Sequence, residues 1–120
     1  MKSVKLAPPN SIILVMDPNA HELPKSVSGA LVSATPTAVA IGCRAEIDGE
    51  TEVRLGPDRE VNPGTAPAFA GRLETPTGVV SVRTTLDEEV LTLRVACDHV
   101  SLRVWANDPA EPTLVIIGVS

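Results

Sequence analysis

The residues of this chain best suited to chemistry are Cys97 and His99, which flank Asp98 in a short polar stretch. A thiolate and an imidazole at this spacing could share a zinc ion, or the imidazole could activate the thiol as a nucleophile. A zinc site needs three or four ligands, and the other histidine and cysteine, His21 and Cys43, have no spacing that supplies them. No Gly-x-Ser-x-Gly elbow accompanies the thiol. We interpret the stretch as a polar turn and predict no catalytic residue and no metal site.

Acidic residues are the other groups that could do chemistry. They cluster at Asp87-Glu88-Glu89, at Asp58 with Glu60, and at Asp17. Loop carboxylates can bind calcium when several oxygen atoms converge on one ion, but no Asp-x-Asp spacing supports such a site here. Paired carboxylates for glycoside hydrolysis would have to come from distant strands, and nothing local indicates them. We interpret these groups as solvated turn carboxylates and expect no cofactor.

The composition narrows the functions further. A chain of 120 residues is one domain, spanning 1–120. Its net charge is -5, with 15 acidic and 10 basic residues, and the basic residues form no stripe that could follow a phosphate backbone. Phe69 and Trp105 are the only aromatic residues, so stacking platforms for bases are almost absent. We therefore expect no nucleic-acid partner, whereas an acidic surface suits solubility or a basic protein partner.

The hydropathy pattern predicts a cytoplasmic protein with no membrane partner. The longest apolar run, Ile12 to Met16, is far too short for a signal core or a membrane span. Cys43 lies in an apolar-alternating run, which favours a buried free thiol. A disulfide between Cys43 and Cys97 is an alternative that the sequence leaves open.

Alternating apolar and polar residues, interrupted by 11 prolines and 8 glycines, predict short β-strands along most of the chain. The ten candidate strands are at residues 4–6, 11–16, 30–34, 38–45, 51–55, 68–74, 79–84, 89–95, 100–106 and 113–119. About eight to ten such strands favour an all-β fold, an antiparallel β-sandwich of jelly-roll-like type with little or no helix. The continuously apolar run at 114–117 predicts a central strand that is buried on both faces.

Turn residues and the parity of the apolar positions predict three hairpins. These pair strand 38–45 with 51–55 across Ile47-Asp48-Gly49, strand 68–74 with 79–84 across Thr75-Pro76-Thr77-Gly78, and strand 89–95 with 100–106 across Cys97-Asp98. In the first, Gly49 would adopt a left-handed conformation in a bulge. The same parity directs six side chains into the core, namely Ile41, Cys43, Val53, Leu55, Leu93 and Leu102.

Trp105 is the most singular side chain, and it lies where a strand runs into Asn107-Asp108-Pro109. One interpretation is that it closes an edge of the core. The other is that it anchors a partner, because tryptophan is enriched at interface hot spots. The residues predicted to bind a partner on the second interpretation are Trp105, Asn107, Asp108, Asp87 and Glu88.

The segment Val104-Trp105-Ala106-Asn107-Asp108-Pro109 ends a late strand and precedes a final apolar strand. This order of elements resembles small bacterial all-β proteins of the competence protein J type, which inhibit a partner nuclease. It is also similar to uncharacterised actinobacterial proteins that carry a Val-Trp-x-x-Asp-Pro segment. The resemblance runs over most of the chain and transfers no catalytic motif. It implies a cytoplasmic protein that works by binding another protein.

Three hypotheses for the function follow. The first is a non-catalytic protein-binding module, in its most specific form an inhibitor or immunity protein for a basic nuclease or toxin. The second is a small-ligand or carbohydrate-binding sandwich, which a polar-lined pocket beside Trp105 would favour. The third is an oligomer-forming structural protein, in which an edge strand such as 4–6 pairs across the two-fold axis of a homodimer.

Overall fold

A computed structural model describes residues 1–20, 22–24 and 30–120. Ten strands are found in these ranges: β1 (Lys2–Leu6), β2 (Ile12–Met16), β3 (Val32–Ala34), β4 (Ala38–Gly42), β5 (Thr51–Pro57), β6 (Phe69–Glu74), β7 (Val79–Thr84), β8 (Glu89–Arg94), β9 (His99–Ala106) and β10 (Leu114–Val119). A four-residue helix, α1, spans Asp58–Val61, and two 3-10 turns span Pro9–Ser11 and Glu46–Asp48. All ten predicted strands are confirmed. The helix and the two 3-10 turns have no counterpart in the sequence pattern, because elements of three or four residues are too short to leave a helical period. Among the described residues, no helix has the length and apolar character that crossing a membrane requires.

The strands form two five-stranded sheets that share one core. Sheet A has the order β1-β5-β10-β9-β6, and sheet B has the order β3-β4-β2-β7-β8. Neighbouring described strands run antiparallel, apart from the parallel pair of β5 and β10. The predicted all-β sandwich is confirmed. Strand β10 lies in the middle of sheet A with Val115, Ile116 and Ile117 all buried, as its continuously apolar sequence predicts.

Inward-facing side chains from both sheets form the main core. Of the six residues predicted to face inward, Leu93 is half-buried against this core and the other five are buried. Both cysteines are free thiols, Cys43 in the core and Cys97 on the surface. Burial raises the pKa of the Cys43 thiol to about 11, so it stays protonated and unreactive near neutral pH.

The three predicted hairpins are wrong, and they are wrong for the same reason. In each proposed pair one strand belongs to sheet A and the other to sheet B, so the connecting segment is an arch between sheets. Part of the turn chemistry is present: the Gly78 N–H donates to the Thr75 carbonyl at 2.9 Å. Gly49 has a positive φ of 119°, but its ψ of -163° is extended and it ends the 3-10 turn Glu46–Asp48 instead of forming the predicted bulge. An arch preserves the alternation of inward and outward side chains, so the parity of the core residues holds while the partners change.

Part of the outer face of sheet A, around Trp105 and Ile116, is covered by the chain's own residues 58–65, which we call the strap. Val61 of helix α1 is buried and packs on Trp105 and Ile116. The Trp105 Nε1–H donates to the carbonyl of Thr65 at 2.9 Å. Arg103 Nε lies 3.0 Å from Oδ2 of Asp58, a buried oxygen that has no hydrogen bond within the described chain. An ion pair, a hydrogen bond and apolar packing therefore hold the strap on the sheet.

Gly118 on β10 permits the close approach of the strap. A Cβ at this position would lie 3.0 Å from the Trp105 ring and 3.1 Å from Oδ2 of Asp58. We expect Gly118→Ala to lower the free energy of unfolding by about 1–3 kcal/mol, measured in urea, because the added methyl overpacks this contact. Gly42→Ala is the matched control, since among the described residues its Cβ would meet the Leu31 carbonyl alone, at 3.6 Å. Equal losses for the two strand glycines would contradict the interpretation.

Candidate functional site at the acidic end

Four connecting segments meet at one end of the sandwich: the turn Pro9–Ser11, the β4–β5 connection at 43–50, the β7–β8 turn at 85–88 and the β9–β10 loop at 107–113. Asn10 joins the first three, since its backbone N–H donates to Oε1 of Glu46 at 2.9 Å and its Nδ2 donates to Oγ1 of Thr85 at 2.8 Å. The Thr51 hydroxyl donates to the carbonyl of Pro112 at 3.2 Å, which ties the fourth segment to the start of β5. These contacts make the four segments one continuous surface.

This surface, which we call the acidic end, carries a strong excess of negative charge. Seven of the chain's 15 acidic residues lie on it, and all are exposed: Glu46, Asp48, Glu50, Asp87, Glu88, Asp108 and Glu111. Within the same four segments the basic residue is Arg44. Like charges gathered on one face raise the local concentration of a positively charged partner.

Two large apolar side chains project from the acidic end. Ile47 is 95% exposed on the 3-10 turn Glu46–Asp48, and Leu86 is 74% exposed in the β7–β8 turn. Asn10 bonds the residue immediately before each of them, so both tips are held beside one turn. Single exposed apolar residues are ordinary, but two large ones on linked turns of one polar surface are typical of an interaction site.

The turn that carries Leu86 is preformed by hydrogen bonds. The Thr84 hydroxyl oxygen accepts from the backbone N–H of Leu86 at 3.2 Å and from that of Glu88 at 3.3 Å. Asp87 adopts a left-handed φ of 63°, and its Oδ1 accepts from Arg83 at 2.7 Å. Asp and Asn tolerate this conformation better than most residues. A turn already held in shape loses little conformational entropy when a partner binds.

Asn107 and Asp108 shape the β9–β10 loop from within. Asn107 Oδ1 accepts from two backbone N–H groups, the nearer being that of Thr113 at 2.9 Å. Asp108 Oδ1 accepts from the backbone N–H groups of Glu111 and Ala110, each at 2.8 Å, and these bonds lower the pKa of the Asp108 carboxyl. Both residues are exposed on the acidic end, and their side chains hold the loop.

Trp105 stands apart from the other residues predicted to bind a partner. It is 4% exposed and lies under the strap rather than on the acidic end. The depression beside it has a volume of about 190 Å³ and is lined mainly by apolar groups, with Thr65 and Asn107 at its polar part. Ligand pockets usually exceed about 300 Å³. This depression is therefore smaller and less polar than the pocket that would favour a small-molecule function.

Two carboxylates expected to be solvated are instead buried, namely Asp17 and Asp58. Asp58 faces Arg103 in the strap contact. Asp17 Oδ2 accepts from the backbone N–H of Thr77 at 2.9 Å and from its hydroxyl at 2.7 Å, while Oδ1 accepts from the Asn19 N–H at 2.9 Å. Burial alone would raise the pKa of Asp17, but these hydrogen bonds outweigh it and hold the pKa below its ordinary value.

The polar stretch around Cys97 is exposed, with His99 Nδ1 2.9 Å from Oδ1 of Asp98. The hydrogen bond and the charge of His99 lower the pKa of the Asp98 carboxyl. In residues 1–20, 22–24 and 30–120, no three His, Cys, Asp or Glu side chains are grouped as metal ligands. His21 lies outside those ranges.

The tips at Ile47 and Leu86 were not among the predicted site residues. The signal in the sequence was a large apolar residue inside a turn: Ile47 beside Asp48-Gly49, and Leu86 between Thr85 and Asp87. In a strand such a residue goes to the core, but in a turn it has no core to enter. The hydrogen bonds of Asn10 to Glu46 and Thr85, which place the two turns on one surface, leave no signal in the local sequence.

The fold and the site together define an all-β sandwich whose candidate site is a projecting surface, not a cleft. No protein-family model, no curated protein and no solved structure matches the chain.

Proposed function

We propose that this protein is a non-catalytic binding module that docks on a positively charged protein surface through its acidic end. The observation that carries the proposal is the exposure of Ile47 and Leu86 on two hydrogen-bonded turns that Asn10 holds side by side. The surrounding carboxylates supply charge complementarity, and the two apolar tips supply surface that only a partner would bury.

The two kinds of residue have different tasks in this proposal. Burying an Ile or a Leu side chain contributes about 1.5–3 kcal/mol each, so the tips provide affinity. Exposed carboxylates on the rim act chiefly on the association rate and on its dependence on salt. Asp87 and Glu88 follow Leu86 directly, so the β7–β8 turn carries both kinds of residue.

In its most specific form the proposal is an inhibitor or immunity protein for a basic nuclease or toxin. A nuclease must present positive charge where it binds the phosphate backbone. A compact surface bearing seven exposed carboxylates matches that charge. The resemblance to nuclease inhibitors of the competence protein J type points to the same class of partner.

The test is to recover partners from the organism that encodes the chain and to measure affinity for the enriched protein. We expect Ile47→Ser and Leu86→Ser each to weaken binding by about 30-fold, the size of a hot-spot loss. Leu23→Ser is the matched control, because Leu23 is 52% exposed elsewhere on the surface and should leave the affinity unchanged. All three variants should unfold at the same urea concentration as the wild type.

Salt provides the second measurement. We expect the association rate to fall steeply between low and physiological ionic strength, and the double substitution Asp87→Asn with Glu88→Gln to flatten that dependence. If the affinity of the recovered partner changes neither with salt nor with the substitution of Ile47 or Leu86, the acidic end is not its docking surface.

A further inference from the structure

We infer that the free edge of β6 is a second docking site, which receives an extended segment of another protein as an added strand. This site lies on the side of sheet A and uses no residue of the acidic end. It therefore stands or falls independently of the function proposed above.

Along β6, the N–H and C=O groups of successive residues point alternately toward the neighbouring strand β9 and toward the open side. The Thr75 N–H donates to the Asp98 carbonyl at 2.7 Å on the β9 side, whereas the Glu74 N–H donates outward to the carbonyl of Pro36 at 2.9 Å. By that alternation Ala70 and Arg72 also point their N–H and C=O groups away from β9. Within the described residues these outward groups have no hydrogen-bond partner. They are the groups that a strand added at this edge would use.

The other three edges of the sandwich each carry a feature that discourages strand addition. Strands β1 and β8 lie beside each other, and Lys2 Nζ donates to the Thr92 carbonyl at 2.6 Å. The ladder of β8 with β7 is also broken by a register shift at Val82 and Arg83, and β3 has three residues. Strand β6 has six residues, no lysine, no proline and no register shift against β9. Among the described strands it is the regular edge from Phe69 to Arg72, and at its Glu74 end it meets the β3–β4 turn through the bond to Pro36.

The surface next to β6 suits a partner segment of defined charge. A depression of about 410 Å³ lies between this strand and the β3–β4 turn, and its lining includes Pro36, Arg72 and Glu74. Arg72 and Glu74 are exposed on the outer face of the sheet, and neither forms an ion pair within the described chain. Opposite charges facing each other across strands stabilise a sheet. The segment should therefore place an acidic residue opposite Arg72 and a basic residue near Glu74.

A second copy of this chain fits the edge less well. Antiparallel self-pairing centred on Leu73 would set Arg72 of each copy opposite Glu74 of the other, but the outward N–H of Glu74 already donates to Pro36. Self-pairing through the free groups of Ala70 and Arg72 would instead centre on Gly71. The arginines of the two copies would then be diagonal neighbours on one face, about 7–8 Å apart. Like charges at that separation oppose the pairing, so we assign the site to a different protein.

The probe is the synthetic peptide acetyl-Lys-Val-Glu-Val-Thr-amide, which in antiparallel pairing sets its Glu opposite Arg72 and its Lys near Glu74. We expect it to shift the amide NMR signals of Ala70 and Arg72 and to slow their hydrogen exchange about tenfold or more. The control peptide acetyl-Glu-Val-Lys-Val-Thr-amide sets lysine against arginine and should bind several-fold more weakly.

Two substitutions of Arg72 separate the contribution of its backbone N–H from the contribution of its side-chain charge. Arg72→Pro removes the outward N–H and leaves the bonds of β6 to β9 intact, a placement that edge strands tolerate. We expect it to weaken peptide binding about tenfold, whereas Arg72→Gln, which keeps the N–H, should bind the first peptide and show a reduced preference between the two, since only the contribution of Glu74 to that preference remains. Unchanged Ala70 and Arg72 signals, or equal binding by Arg72→Pro and wild type, would overturn the site. Self-association of the wild type that Arg72→Pro abolishes would overturn the assignment to a different protein.

Discussion

Trp105→Ala is expected to lower the free energy of unfolding by about 3–5 kcal/mol, as large-to-small changes of buried aromatic residues do. The ring is 4% exposed, packs against Ile116 and the buried valine of α1, and donates Nε1–H to Thr65. Its removal would open a cavity under the strap and release the contact that fixes residues 62–65. Urea unfolding followed by circular dichroism measures the effect, because the variant lacks the chain's one tryptophan.

Trp105→Phe separates packing from hydrogen bonding at this position. Most of the ring stays, but the Thr65 carbonyl loses its donor, so we expect a smaller loss of about 1–2 kcal/mol. Wild-type stability in Trp105→Ala would contradict the role assigned to the strap. Because Trp105 is buried, a loss of binding in Trp105→Ala would reflect the loss of folded structure. Ile47 and Leu86 are exposed, so their substitution tests binding directly.

Asp17→Asn is expected to lower the free energy of unfolding at pH 7 by about 2–4 kcal/mol, since hydrogen bonds to a buried charged group are strong and costly to leave unmade. Asp17 has no exposed surface and ties the end of β2 to the arch that joins β6 to β7 through Thr77. An asparagine offers one acceptor oxygen where the carboxylate offers two. Thr77→Val removes one donor, and the double variant should show that the two losses are coupled.

The same carboxylate makes stability depend on pH. Its hydrogen bonds hold the pKa of Asp17 in the folded protein below the ordinary aspartate value near 3.9. The unfolded chain therefore takes up the proton first as pH falls, so this contribution is complete above about pH 5 and is lost progressively below it. We expect the gap between wild type and Asp17→Asn to narrow as pH falls below about 4. A constant gap from pH 7 to pH 3 would show that the carboxylate charge is not responsible.

Strand positions and core parity could be predicted from the sequence because they are local properties. A residue's inward or outward direction in a strand depends only on its position in a period of two. Ile41, Val53, Leu55 and Leu102 are buried for that reason, although every partner predicted for their strands was wrong. A hairpin and an arch between sheets obey the same alternation and use the same turn residues, so neither parity nor turn chemistry could distinguish them.

The site depends on contacts between segments that are distant in the chain, and no local pattern encodes them. Asn10 is 36 residues from Glu46 and 75 from Thr85, yet its two hydrogen bonds link the turns that carry the exposed tips. Trp105, the most conspicuous residue in the sequence, is buried because residues 58–65 fold back over it.

The sequence by itself determined ten strands, the identity of most inward-facing side chains and the acidic balance, since each follows from residue type and spacing. Only the tertiary structure decided which strands pair, which carboxylates are buried and where the exposed apolar residues meet. Strand pairing and burial are set by the competition of all segments for one shared core, and that competition is resolved only when the whole chain packs.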